Sequence, residues 1–124
     1  MGSSLAERLA HIASKPTCQL THYGRKTGRP YEVTIWFLVD GGTVYLVTMN
    51  MQRQWTRNAR AYPKVVLRIG EETFPGEVEV VTDVAEMAHV VELLKTKYLI
   101  ARPYLWLKGK PDGAFRVRLD GIQP

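Results

Sequence analysis

The residues with the clearest chemical potential lie in one short segment, THYGRKTGRPYEV, residues 21–33. Two glycines there enclose two cations and a hydroxyl: Gly24, Arg25, Lys26, Thr27 and Gly28. Glycine permits left-handed backbone angles and close approach of a ligand, and the N–H groups of such a turn can form an anion-binding nest. Arginine can hold a phosphate in a bidentate contact, whereas lysine acts as a point charge. The segment is therefore either a phosphate-binding turn or a well-solvated hairpin loop.

A second candidate segment is NMQRQWTRNARAYP, residues 50–63, which predicts a short helix directly after a strand. A helix N-terminus attracts anions through its free N–H groups and its dipole. Three arginines would strengthen that field: Arg53, Arg57 and Arg60. Trp55 and Asn58 lie three residues apart and hence on one helix face, where they could contact a ring system or the end of a barrel. The alternative is an ordinary basic helix with Trp55 in the core.

Aromatic residues near the C-terminus form a third candidate group, Tyr98, Tyr104 and Trp106. Aromatic side chains close to a loop can wall a pocket for a flat ligand. The alternative is routine packing of the last helix, and Tyr98 lies on the apolar stripe of that helix.

Other catalytic templates are missing from the sequence. The three histidines and Cys18 have no metal-ligand spacing, so we expect no metal site. No GxSxG motif and no evident nucleophile–base pair is present. If the protein is an enzyme, its chemistry therefore belongs to a bound cofactor.

Length and composition predict one domain, residues 1–124. No run of 18 apolar residues predicts a membrane span, and no signal peptide is visible at the N-terminus. The single cysteine, Cys18, cannot form an internal disulfide, which fits a cytoplasmic protein.

The charge of the chain is uneven. Residues 1–70 carry 10 Lys/Arg against 3 Asp/Glu, whereas residues 71–124 carry 7 against 9. The basic first half is expected to attract anions.

Hydrophobic periodicity predicts the elements that position these groups. Helical spacing marks residues 4–14, 51–61 and 84–100. The apolar stripe of the third helix comprises Val84, Met87, Val91, Leu94 and Tyr98. Six strands alternate with period two, with a hairpin at residues 40–42 and a bend at Pro75-Gly76, as at a barrel corner. The fold class is therefore mainly β, with an antiparallel, closed sheet and flanking helices.

The order of these motifs resembles the deazaflavin-dependent nitroreductase family, a branch of the flavin/deazaflavin oxidoreductases. The first family motif is matched by Gly24, Arg25, Lys26, Thr27, Gly28 and Pro30. The second is matched by Trp55, Asn58, Ala61, Pro63 and Val65. Ala59 stands where the family usually has leucine. The resemblance covers about residues 17–82.

The resemblance implies a six-stranded antiparallel split β-barrel of the FMN-binding type and the deazaflavin coenzyme F420, which carries a phosphate and an acidic oligoglutamate tail. It implies hydride transfer to an electron-poor acceptor such as an enone, quinone or nitro compound, and a homodimer. The cofactor-binding residues that it implies are Arg25, Lys26, Thr27, Gly28, Trp36, Thr48, Asn50, Arg53, Trp55 and Arg57. From the aromatic group near the C-terminus, Tyr98 and Tyr104 are the expected substrate-binding residues.

Two alternatives to this reading are open. Residues 49–55 lack the Gly-rich stretch common in the family and also resemble relatives that use FMN, so the protein could be an FMN-dependent split-barrel oxidoreductase. It could also be a non-catalytic basic barrel that binds a cofactor, or nucleic acid by stacking bases. The cations cluster around glycines in one turn rather than along a groove with interleaved aromatics, which favours a redox cofactor over nucleic acid.

Overall fold

The computed structural model describes residues 4–98 and 111–119. In chain order the elements are α1 (Leu5–Ile12), β1 (Cys18–Tyr23), β2 (Pro30–Ile35), β3 (Phe37–Asp40), β4 (Thr43–Thr48), α2 (Gln54–Ala61), β5 (Lys64–Ile69), β6 (Glu72–Val80), α3 (Val84–Lys97) and β7 (Gly113–Leu119). Within the described ranges, none of the helices has the length and apolar character needed to cross a membrane.

The first helix begins where its capping residues predict. The Ser4 side chain accepts a hydrogen bond from the Glu7 N–H, and the Glu7 carboxylate accepts in return from the Ser4 N–H. This capping box satisfies backbone donors that the first turn of a helix otherwise leaves free. Leu9 and Ile12 are buried and pack α1 against the barrel core.

The strands form one antiparallel sheet in the order β2-β1-β5-β6-β7-β4-β3. The two outer strands of this order are consecutive in the chain, because β2 ends at Ile35 and β3 begins at Phe37. Their edges therefore meet at Trp36, and the sheet must curl to bring them together. At this point the chain exchanges partners: Ile35 pairs with Cys18 of β1, and Phe37 pairs with Leu46 of β4. The segment predicted as one strand therefore forms two, β2 and β3. This is why the structure has seven strands where the sequence predicted six.

At the bend predicted at Pro75-Gly76, the strand β6 also changes the strand with which it pairs. Glu72–Glu77 of β6 pair with β5, and Gly76–Val80 pair with β7. A Cβ atom on Gly76 would lie 2.7 Å from the carbonyl oxygen of Arg118. Glycine is needed here because the neighbouring backbone comes too close for any side chain.

Apolar residues pack in two layers. The barrel interior is filled by residues that include Leu20, Phe37, Leu46, Leu67, Phe74 and Phe115. The second layer lies between α3 and the outer face of the sheet and includes Leu38, Tyr45, Val47, Val90 and Leu94. The predicted stripe of α3 was wrong at its first position, since Val84 is 84% exposed, and Val90 is buried instead. The first turn of α3 contacts the sheet through Glu86, which binds Tyr45 and Arg116, and Val84 is left exposed to solvent.

Candidate functional site

The turn between β1 and β2 is held closed by its own backbone. The Gly24 N–H donates to the Arg29 carbonyl at 2.8 Å, and the Gly28 N–H donates to the Gly24 carbonyl at 2.8 Å. The Thr27 hydroxyl accepts from the Arg29 N–H at 3.3 Å. Gly28 has φ +75°, a left-handed angle that disfavours residues with a Cβ atom. Of the two glycines expected to allow a left-handed backbone, Gly28 adopts it and Gly24 does not.

The tip of this turn presents free donors. Lys26 and Thr27 are exposed, and their backbone N–H groups have no hydrogen-bond acceptor in the described part of the chain. The Lys26 ammonium has no carboxylate partner there either. Two adjacent N–H groups beside a free cation are the features of an anion-binding nest.

A buried amide ties the turn to α2. The Oδ1 atom of Asn58 accepts from the Arg25 backbone N–H at 3.2 Å and from Arg25 Nη1 at 2.7 Å. The Nδ2 atom of Asn58 lies 3.1 Å from Nδ1 of His22. Asn58 is 1% exposed and His22 is 3% exposed, and burial lowers the pKa of His22. The Arg25 guanidinium is therefore held by Asn58.

A cavity of about 440 Å³ opens where β2 passes into β3. Its lining includes Val33, Thr34, Ile35, Trp36, Val47, Thr48, Met49, Arg53, Trp55 and Leu94. Most of these side chains are apolar, and Arg53 is the cation among them. Trp55 also belongs to the core, where its ring lies 5.4 Å from that of Phe115, so it contributes to both the cavity and the core. Such a cavity suits a flat, largely apolar group with a polar edge.

The Trp36 indole is supported from behind by Tyr98. The two rings are stacked with centroids 4.4 Å apart and planes 9° apart. The Tyr98 hydroxyl donates to the Pro16 carbonyl at 2.7 Å and accepts from the Phe37 N–H at 3.4 Å. Burial raises the pKa of Tyr98 to about 12. Tyr98 therefore lies behind Trp36 with its hydroxyl already bonded, and its contact with substrate stays a prediction.

The loop between β4 and α2 is ordered by side-chain hydrogen bonds. The Thr48 hydroxyl donates to the Asn50 carbonyl at 2.9 Å and accepts from the Asn50 N–H at 3.1 Å. The Met51 N–H donates to the Asp112 carboxylate at 2.6 Å. The helix α2 begins at Gln54, three residues later than predicted, and the preceding loop is bonded to Asp112, which lies just before β7. Arg53 is the N-cap and makes no side-chain capping bond, so the helix N-terminus retains free N–H donors.

Cations around the turn and α2 lack ionic partners. The side chains of Lys26, Arg29, Arg53 and Arg57 form no ion pair within residues 4–98 and 111–119. Cations on β7 are paired: Arg116 contacts Glu86 at 2.6 Å, and Arg118 contacts Glu77 at 2.8 Å. The positive field is therefore uncompensated on the side of the molecule that carries the turn and the start of α2.

A family model supplies the deciding comparison. The model of F420H2-dependent quinone reductases matches residues 3–101, which is most of the chain. The chain belongs to this family. It is an oxidoreductase that uses coenzyme F420 to reduce quinone-like acceptors, and the predicted cofactor and enzyme class are confirmed.

Solved structures with the same fold accompany this family assignment. An F420-H2 dependent reductase is 20% identical over 83% of this chain and 94% of its own, with a TM-score of 0.69. A conserved hypothetical protein from Mycobacterium tuberculosis is 21% identical over 97% of this chain and 82% of its own, with a TM-score of 0.76. A structure described as a domain-swapped dimer is 19% identical over 90% and 92%, with a TM-score of 0.70. The predicted split-barrel fold is confirmed. The comparison with curated protein sequences found no significant match to the chain.

The predicted site residues fall into two groups in this quinone reductase family member. Arg25, Lys26, Thr27 and Gly28 form the turn, and Trp36, Thr48, Arg53 and Trp55 line the cavity. Asn50 lies in the loop before α2, Arg57 is exposed on α2, and neither is part of the cavity lining. Tyr104 lies outside the described residues.

Sequence reasoning missed the roles of Asn58 and His22. The sequence predicted that Trp55 and Asn58 lie on one helix face, and it predicted a strand of period-two alternation that contains His22. Neither pattern indicated that the two residues meet, because β1 and α2 are distant in sequence.

Proposed function

We propose that the Gly24–Gly28 turn binds the phosphate of coenzyme F420 and that the cavity beside Trp36 receives its ring system. The observation that carries this proposal is the position of α2, which contributes to both places. Asn58 holds the turn, and Trp55 lines the cavity. Three residues span about 4.5 Å along a helix, so the two subsites are adjacent.

The residues around both subsites fit the coenzyme. The free N–H groups of Lys26 and Thr27 and the Lys26 ammonium suit a phosphate. The unpaired Arg29 and Arg57 provide positive charge for the acidic tail. The apolar cavity, with the Trp36 ring fixed by Tyr98, suits a flat heterocycle. FMN shares the phosphate and a flat ring, but it has no acidic tail for the additional cations.

The chain itself contributes positioning and exclusion of water. When bound, reduced F420 supplies a hydride from C5 of its deazaflavin ring. Val33, Ile35 and Trp36 form an apolar wall that keeps water from the reacting atoms. Holding donor and acceptor in contact removes much of the entropic barrier to their reaction.

Arg53 and the uncapped start of α2 supply the polar part of the proposed mechanism. Reduction of a quinone or an enone places negative charge on a carbonyl oxygen of the acceptor. A cation and free N–H donors at the edge of the cavity stabilise that charge as it develops. Acceptors of this kind, and nitro compounds with similar electron demand, are the proposed substrates.

We further propose a single cofactor-binding domain that acts in the cytoplasm as a homodimer. The described part of the chain packs around one barrel, and its single cysteine is buried and free. Proteins of reducing compartments rarely depend on disulfides. A structure with the same fold is described as a domain-swapped dimer, which makes a symmetric pair a reasonable assembly to test. Sedimentation over a range of protein concentrations would detect it.

A titration tests the cofactor assignment. The protein is mixed at physiological salt with F420, FMN or a single-stranded oligonucleotide, and binding is followed by fluorescence. We expect F420 to bind most tightly, and tighter binding of FMN or of the oligonucleotide would contradict the proposal.

A labelling experiment tests direct hydride transfer from the coenzyme to the acceptor. The reduced coenzyme carries deuterium at C5, and we expect the label on the reduced enone. Exchange of the label into water would exclude direct transfer.

A further inference from the structure

The orientation of the Asn58 amide follows from its neighbours. Its Oδ1 atom lies 3.2 Å from the Arg25 backbone nitrogen and 2.7 Å from Arg25 Nη1. Both Arg25 groups are donors, and arginine has no acceptor and does not lose its proton in proteins. The amide oxygen must therefore face Arg25, and the NH₂ group must face His22.

This orientation determines the protonation state of His22. The Asn58 NH₂ group can only donate, and it lies 3.1 Å from Nδ1 of His22. The Nδ1 atom must therefore carry a lone pair, so that the imidazole is neutral with its proton on Nε2. An imidazole protonated on Nδ1 would direct one N–H group at another, and the contact would be lost.

The surroundings of His22 favour the neutral form. From β2 the ring of Tyr31 stacks on the imidazole, with centroids 5.7 Å apart and planes 22° apart. From α2 the contact is the neutral Asn58, and the cation beyond it is Arg25 in the turn. Desolvation by burial lowers the pKa of His22, because an imidazolium there would lose its hydration.

We propose that His22 and Asn58 are positioning residues for the coenzyme: neutral His22 orients the Asn58 amide, and the amide holds Arg25 and the Gly24–Gly28 turn in the anion-binding form. This inference rests on the proposed phosphate-binding function of the turn. The backbone contact to the Arg25 N–H is the important one, because it fixes the residue that directly precedes the two N–H groups without an acceptor among the described residues. Protonation of His22 removes the partner that keeps the amide in this orientation, so the turn loses its anchor.

The first test examines the free protein and needs no coenzyme. Two-bond ¹⁵N–¹H NMR spectra distinguish the two neutral tautomers of histidine. We expect the His22 signal to report a proton on Nε2 at neutral pH. A proton on Nδ1 would overturn the inference, because Asn58 could not then donate to it.

The second test measures F420 affinity by fluorescence in variants of the full chain. His22→Leu and Asn58→Leu should each weaken binding by up to about tenfold, the upper end of the scale for one lost hydrogen bond. His22→Asn places an oxygen acceptor where Nδ1 was, and it should bind like the parent. His89→Asn is the matched control, since His89 is an exposed residue paired with Asp40. His22→Leu with parental affinity, or His22→Asn as weak as His22→Leu, would overturn the inference.

The pH dependence covers the case in which the leucine variants do not fold. Because burial lowers the pKa of His22, its protonation lies below the ordinary histidine range. As the pH falls from about 7 to about 4, the parent should lose affinity relative to His22→Asn, which has no titrating group at this position. Identical pH profiles for the two proteins would overturn the inference.

Lys26→Ala separates this inference from the proposed function. Unchanged affinity in Lys26→Ala would contradict the phosphate-binding role of the turn itself. Weakened binding in Lys26→Ala, together with parental binding in the His22 and Asn58 variants, would contradict the positioning role alone.

Discussion

Arg25 and Lys26 are neighbouring cations with different surroundings. The Arg25 guanidinium is bound to the buried Asn58, whereas the Lys26 ammonium is exposed and has no partner in the described part of the chain. At the residue scale, the first is therefore a structural cation that shapes the turn, and the second is the cation available to a ligand. The sequence alone predicted both as phosphate-binding cations.

Lys26→Ala should weaken F420 binding by about tenfold or more, because a charge-assisted hydrogen bond contributes about 1.5–3 kcal/mol. The melting temperature should stay the same, since Lys26 contacts nothing that the fold needs. Fluorescence titration and thermal unfolding measure the two quantities. Lys15→Ala is the control, because Lys15 is an exposed lysine near the opposite end of β1. Equal affinities in the two variants would contradict a role for Lys26.

Gly28→Ala should reduce both stability and F420 affinity. A Cβ atom at Gly28 would meet nothing within 4 Å, so the cost comes from its φ of +75° alone. A left-handed residue other than glycine costs about 1–2 kcal/mol. Gly42→Ala is a matched control with equal space and without a left-handed φ. Urea denaturation compares the two, and equal losses would contradict the explanation from backbone strain.

At the scale of elements, the C-terminal end of α3 holds the place where the barrel closes. Tyr98 contacts both Pro16 and Phe37 through its hydroxyl and stacks on Trp36. Lys97 donates to the Phe37 carbonyl at 2.9 Å, and its ammonium lies 3.5 Å from the centre of the Phe37 ring. One helix end therefore fixes the bend between β2 and β3, and with it one wall of the cavity.

Tyr98→Phe should lower the free energy of unfolding by about 1–2 kcal/mol and raise the KM for the acceptor, because the hydroxyl contacts are lost and the Trp36 wall loosens. Tyr45→Phe is the control, since it loses a hydroxyl bond to Glu86 at 2.9 Å and Tyr45 does not line the cavity. Urea denaturation and steady-state kinetics provide the measurements. We expect similar stability losses in the two variants and a change in KM in Tyr98→Phe alone. A parental KM in Tyr98→Phe would argue against the supporting role.

The lowered pKa of Lys97 makes stability depend on pH. Burial lowers this pKa from 10.5 to about 8, so between these values the unfolded chain binds more protons than the folded one. Stability contributed by this group therefore rises as the pH increases from about 8 to about 10.5. Cys18, Tyr45 and Tyr98 have raised pKa values and oppose this trend at high pH, so the comparison is between two proteins. Chemical denaturation at both ends of this range should show the parent gaining stability relative to Lys97→Met as the pH rises. The same change in both proteins would contradict a contribution from Lys97.

At the scale of the whole molecule, charge is separated between two sides. Carboxylates neutralise the cations of β7, whereas those of the Gly24–Gly28 turn and the start of α2 have no ionic partner among the described residues. Such a field attracts polyanions and is weakened by salt.

F420 forms with longer acidic tails should bind more tightly at low salt, and the advantage should shrink as salt is raised from about 20 mM to about 300 mM. FMN, which has no acidic tail, should show a weaker dependence on salt. Dissociation constants at several salt concentrations measure both effects. An F420 affinity that does not change with tail length would mean that the tail is not bound by these cations.

Local sequence determined much of the fold. Capping residues placed the starts of α1 and α3, period-two alternation placed most strands, and the Gly24–Gly28 motif predicted a turn with a left-handed glycine. These features follow from residues a few positions apart, which is the range over which backbone preferences and hydrogen-bonding side chains act.

Tertiary structure decided the features that need distant residues to meet. Trp36 splits a strand because the chain leaves β1 for β4 there, and no local pattern encodes a change of partner. Asn58 reaches Arg25 and His22 only after α2 packs on β1, so the division between a structural and a free cation was invisible in the sequence. The hydrogen bonds from the Tyr98 hydroxyl to Pro16 and Phe37 likewise join residues that are far apart in the sequence. In each case the role of a side chain depends on which partner satisfies its polar group, and that is settled only when the chain folds.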